Sequence, residues 1–170
     1  KDLWRSTWEK EANLDSRLSL ALAKAARLTK SIESYNVATR ANLSSYWNGI
    51  NVVTLVRLLE HLASRTRKRA PEISVKDLED LTMVVRVATR NKLNNPGEVV
   101  WTKATLGELA LVRGDADEAE SWYQQAVAEP DVTAFNVRSM LEQVEMLVAL
   151  DFQAEASTRV ANVLRDCFRA

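Results

Sequence analysis

Apolar side chains recur at three- and four-residue intervals along most of this chain, and almost nothing interrupts them. Its 170 residues include four glycines and three prolines, against average usages of about 7% and 5%. An all-β fold needs tight turns at short, regular spacing, and so few breakers cannot supply them. Helices joined by short links remain. Two β-branched runs, 50–56 and 84–87, lie inside longer helical patterns and are read as helix.

The second half of the chain is the more legible. Asn95-Pro96-Gly97-Glu98 reads as a helix start, with Asn95 as cap, Pro96 in the first turn and Glu98 closing a capping box. The helix runs through Trp101, Ala104, Leu109 and Val112 to Gly114, a left-handed stop. Asp115-x-x-Glu118 opens the next helix, whose stripe is Ala119, Trp122, Tyr123, Ala126 and Val127, ended by Pro130-Asp131. Two helices so closely joined form an antiparallel hairpin. A third helix carries Val137, Met140, Leu141, Val144, Leu147 and Val148. After a break at Asp151, a fourth carries Ala156, Val160, Val163, Leu164, Cys167 and Phe168, with Cys167 expected in the core.

The first half follows the same plan. Residues 2–10 form a short helix with Leu3, Trp4 and Trp8 on one side, and Asn13 caps a second that runs from Leu14 to Leu28. The stretch 30–47 reads equally as helical turns or as an ordered loop. From Asn48 to Leu62 the pattern is apolar over most of the circumference, which predicts a central, buried helix. Ser64 to Ile73 reads as a surface loop, and Ser74-x-x-Asp77 as the cap of a helix with Leu78, Leu81, Val85 and Ala88. The expected architecture is one all-α domain over 1–170, with about eight helices in four antiparallel hairpins.

A repeat follows from hairpins in series. Leu106-Gly107, Gly114, Ala119-x-x-x-Tyr123, Ala126 and Pro130 resemble the tetratricopeptide pattern, with Lys103 and Ala110 where that pattern has Trp and Tyr. Gly107 and Ala119 are small where two helices must approach closely. A tetratricopeptide-like array implies a right-handed α-α superhelix. The order of Trp4, the Leu14–Leu28 helix, Tyr46-Trp47-Asn48-Gly49-Ile50-Asn51, Trp101 to Ala110, Gly114-Asp115 and Trp122-Tyr123 is similar to that of the TRAFs-binding domain family. That family is known from the central regulatory region of apoptosis-signal-regulating protein kinases and from bacterial multidomain proteins. The resemblance implies a regulatory module that binds protein partners.

Chemistry-bearing constellations are scarce. His61 is the only histidine and Cys167 the only cysteine, so a His-rich metal site and an internal disulfide are excluded. A structural role suits His61 better than catalysis, and no Gly-rich phosphate loop exists. Neither an enzyme activity nor a cofactor is expected. Lys plus Arg and Asp plus Glu balance at 23 each, so no net field favours nucleic acid. The basic run Arg65-Thr66-Arg67-Lys68-Arg69 reads as a solvated loop rather than a phosphate contact. Of five tryptophans, four fall in or beside apolar stripes, while Trp47 suits either packing or a ligand, packing being the better reading. No run reaches the roughly 20 apolar residues that span a bilayer, so no membrane partner is expected and the cytoplasm is the default compartment. The first residue, Lys1, is read as the start of a piece cut from a longer protein.

Stacked hairpins leave a concave face, and that face is the expected site. Asn51, Thr54, Arg57 and His61 fall near one stripe of the central helix. Glu108, and then Arg138, Glu142 and Glu145, occupy comparable positions on later first-of-pair helices. The expected occupant is a protein or peptide, other domains of the same chain included. A self-associating scaffold is the alternative; a nucleotide or nucleic-acid binder using residues 65–69 is the third reading.

Overall fold

The computed structural model describes residues 1–75 and 77–169. Among these residues there are nine α-helices and no strand: α1 (Asp2–Arg5), α2 (Leu14–Ala23), α3 (Ala26–Ala41), α4 (Tyr46–Thr66), α5 (Leu78–Asn91), α6 (Val99–Arg113), α7 (Ala116–Val127), α8 (Ala134–Ala149) and α9 (Ala154–Asp166). The fold is an all-α array of helices in series.

Local chemistry sets most of the boundaries. The side chains of Asn13 and Asp115 accept the amides of Ser16 and Glu118, so α2 and α7 begin where a short acceptor relieves the free first-turn N–H groups. Thr133 and Asn136 form a complete capping box at the start of α8. Gly114 closes α6 with φ +79°, a conformation that costs a side-chain-bearing residue energy. Asp151, with φ +54°, breaks the chain between α8 and α9.

Several boundaries differ from expectation. α1 stops at Arg5, and residues 6–10 continue only as turns. The predicted Leu14–Leu28 helix breaks at Lys24-Ala25, and the uncertain stretch after it is the helix α3. Asn95 caps nothing: α6 starts four residues later behind Glu98, which makes no side-chain cap bond. Asp77 precedes α5 without a cap bond either, and Lys76 in that predicted motif lies outside the described residues. The eight expected helices are therefore nine among the described residues, because the uncertain stretch folds as α3; α2 and α3 both pack on α4.

α4 is the axis, with twelve buried residues, and it packs against α2, α3, α5 and α6. Contact of Gly49 with Val85 near one end and of Arg57 with Glu79 towards the other shows that α4 and α5 run antiparallel. Gly49 permits the approach, because a Cβ there would overlap the Val85 side chain. Gly107 plays that part between α6 and α7, where a Cβ would lie 2.6 Å from Tyr123 Cδ2. Tyr123 thus fills space within its own hairpin. The α6–α7 pair stacks on α8–α9 through α7 and α9, tied by Arg159 of α9 to Glu120 of α7.

The larger of two buried apolar clusters runs from Trp4 through Leu55, Leu111 and Tyr123 to Leu164, and the smaller joins Tyr46, Ile50, Val85, Leu106 and Leu109. Trp4 and Trp8 meet edge to face at 5.1 Å, and Trp4 Nε1 donates to the Ala21 carbonyl at 2.8 Å. Cys167 and Phe168 lie outside this core, contrary to expectation; α9 ends at Asp166, and both side chains are exposed.

A candidate binding cleft between α4, α6 and α8

The first helices of successive pairs meet at a carboxylate. Thr54 Oγ1 of α4 donates to Glu108 Oε1 of α6 at 2.6 Å, and Gln143 Nε2 of α8 donates to the same oxygen at 3.0 Å. Among the described residues, no bond reaches Glu108 Oε2. Thr54 is distinctive in this respect. The buried Thr39, Thr89, Thr102 and Thr105 each donate to a carbonyl three or four residues back on their own helix. Thr54 instead turns its hydroxyl across to another helix. Burial raises the Glu108 carboxyl above its ordinary value, opposed by the Thr54 and Gln143 bonds and by the nearby Lys1 charge. Burial also raises the Tyr123 phenol, and the Glu108 charge adds to the effect.

A cleft of about 340 Å³ opens over this carboxylate. Its walls include Trp47, Trp101 and Tyr123, with Trp47 and Trp101 edge to face at 5.1 Å and 78°. A shallower depression adjoins it, sharing Trp47, Trp101 and Ser139 and adding Tyr46 and Phe135. Here the surface is openly apolar: Phe135 is 71% exposed and Trp47 49%. Scattered exposed apolar residues need no explanation, but aromatic side chains gathered at the mouth of a concave site do.

The inner curve is not left wholly free. The N-terminal segment lies along α8 and forms one wall of the cleft: Lys1 Nζ donates to Gln143 Oε1 at 2.7 Å, and Arg5 to the Glu142 carbonyl at 3.3 Å. Arg17, at the base of α2, donates to the Ala149 carbonyl at 2.8 Å. An expected open groove is therefore a bounded cleft, because Trp4 and Trp8 bury themselves in the core and bring Lys1 to Arg5 with them.

Of the residues expected to line the site, Asn51, Glu108 and Glu142 lie in the cleft, and Thr54 supports Glu108 from beneath. Asn51 also donates to the Trp47 carbonyl at 2.8 Å, one turn back on its own helix. Arg57 and His61 sit elsewhere. Arg57 pairs with Glu60 and Glu79, and His61 Nε2 lies 3.0 Å from the Leu150 carbonyl with its ring edge-on to Phe152. Burial lowers the His61 imidazole below its ordinary value. A helix rises about 1.5 Å per residue, so His61 stands roughly 10 Å along α4 from Thr54 and outruns the cleft. Arg138 is exposed and outside the cleft, while Glu145 pairs with Arg165 of α9. The cleft face of α8 is instead Ser139, Glu142, Gln143 and Met146. That is itself a three- and four-residue stripe, mixed in polarity and so without a hydrophobic signal.

The other features singled out in the sequence lie outside the cleft. Arg65 pairs with Asp151, and Arg67, Lys68 and Arg69 are exposed after the end of α4. Glu118 pairs with Arg113. Among the described residues, no group of three or more His, Cys, Asp or Glu is placed to hold a metal ion, and no helix is long and apolar enough to cross a membrane. No family model, curated protein or solved structure matches the chain.

Proposed function

We propose that this chain is a non-catalytic, protein-binding regulatory module of tetratricopeptide-like build, of the kind the TRAFs-binding resemblance implies. Its peptide site is the cleft between α4, α6 and α8. The observation that carries this reading is the juxtaposition of exposed Trp47 and Phe135 with a recessed polar floor. Peptide sites join apolar anchor pockets to a few fixed polar groups, and aromatic rings supply large contact area at low entropy cost. The cytoplasm is the compartment in which such a module would act.

Selection from a displayed random-peptide library tests the reading. Peptides should enrich on the wild-type chain and lose about tenfold or more in affinity on a Trp47→Ala, Phe135→Ala variant, as removal of aromatic anchors does. Failure of any sequence to enrich, or equal binding to both proteins, would remove the cleft as a peptide site. Self-association is the second reading, since exposed Leu43, Met83 and Val87 gather at a separate apolar surface by α5. Light scattering across a concentration series decides it.

A further inference from the structure

We propose that the cleft receives one lysine side chain of its peptide ligand, with the ammonium against Glu108 Oε2 and the aliphatic stem between the aromatic walls. This rests on the cleft being a peptide site and adds which residue of the ligand it selects.

The argument begins with the carboxylate. A carboxylate has about four lone-pair sites, two on each oxygen. Oε1 already accepts Thr54 and Gln143, while Oε2 accepts nothing among the described residues and its side chain lines the cleft. A half-buried acid held rigidly on one oxygen and left open on the other is built for a cationic donor. Trp47 and Trp101, edge to face with each other, line the cleft with Tyr123 at its buried side, and a cation over an indole face gains further attraction. The chain's own cations at this place make no bond to Glu108, although the Lys1 charge lies near enough to favour the carboxylate. Lys1 donates to Gln143 Oε1, and Arg5 pairs with Glu9 and donates to the Glu142 carbonyl.

The same geometry discriminates between cations. Arginine is strongest when its planar fork meets both oxygens of a carboxylate. With Oε1 saturated, that bidentate pairing is lost, and a compact ammonium that needs a single acceptor fits better. Selection of lysine over arginine is therefore a direct consequence of the Thr54 and Gln143 bonds.

The test uses three capped amino-acid amides as probes, Nα-acetyl-lysine, Nα-acetyl-arginine and Nα-acetyl-norleucine amide, titrated against the chain while the tryptophan indole N–H resonances are followed by NMR. Lysine amide should shift the Trp47 and Trp101 signals saturably, arginine amide should bind at least threefold more weakly, and norleucine amide should not bind. Glu108→Gln should weaken lysine amide by about 30-fold, the scale expected when one partner of a recessed charge pair is removed. Thr54→Val, which frees a lone pair on Oε1, should narrow the preference for lysine over arginine. Thermal melts of both variants confirm that they fold. Equal binding of norleucine and lysine amides, or an unchanged affinity in Glu108→Gln, overturns the cation site while leaving an apolar peptide cleft intact. Arginine binding as tightly as lysine overturns the discrimination. Lysine-dependent binding with no peptide enriched from the library upholds the cation site and sinks the peptide reading on which it was placed.

Discussion

At the residue scale, Glu108 is a functional-looking group because the fold holds it at a thermodynamic disadvantage. Its carboxyl lies above the ordinary value of 4.5, since removal from water disfavours the charged form more than Thr54, Gln143 and Lys1 favour it. A carboxyl raised in the folded state contributes its stability fully below the unfolded value and loses it as pH rises through the folded value. Above the folded value the charge is thus a penalty. Glu108→Gln keeps an oxygen for Thr54 and Gln143 and removes that charge, so it should raise the melting temperature at pH 7. The gain should vanish below about pH 4, where the wild-type side chain is itself neutral. Melting both proteins from pH 3.5 to 8 checks this. A Glu108→Gln protein less stable than wild type at pH 7 would mean that the carboxylate is structural.

At the scale of the element, the helices divide into those that begin on their own local chemistry and those that do not. α2, α7 and α8 start on side-chain caps of Asn13, Asp115 and Thr133. Two of those, Asn13 and Asp115, are visible in the sequence as short polar residues ahead of apolar stripes. α5 and α6 have no cap bond, and their predicted starts at Ser74 and Asn95 failed. Their N-termini are set by packing of Leu78, Leu81 and Val100 onto the core, which a local motif cannot report. Thr133→Ala should therefore cost about 1 kcal/mol by loss of the capping box, measured as a shift in denaturation midpoint at constant slope. A cost near zero would place the start of α8 in the second group, with α5 and α6.

Across the whole molecule, the N-terminal segment decides whether the inner curve is a groove or a cleft. Trp4 is fully buried against α2 and Trp8, and Lys1, Arg5 and Arg17 all reach α8 or the carbonyls at its end. Trp4→Ala should cost about 3–5 kcal/mol, the range for losing a buried large aromatic. It should lower a single unfolding transition followed by both far-ultraviolet circular dichroism and tryptophan fluorescence. A separate early transition would instead make the segment a detachable flap over the cleft. The sequence by itself determined the helical class, the central place of α4, the α6–α7 hairpin and the stop at Gly114. Each depends on spacing of apolar side chains or on the steric freedom of glycine, which are local properties. It also placed Asn51, Thr54, Glu108 and Glu142 on helix faces near one another. Only tertiary structure decided that Thr54 and Gln143 share one oxygen of Glu108, that Arg57 and His61 serve other contacts, and that Trp101 and Phe135 frame the site. The physical reason is that three helices separated by tens of residues must meet before a polar side chain can choose its partner, and no periodicity along one helix encodes that meeting.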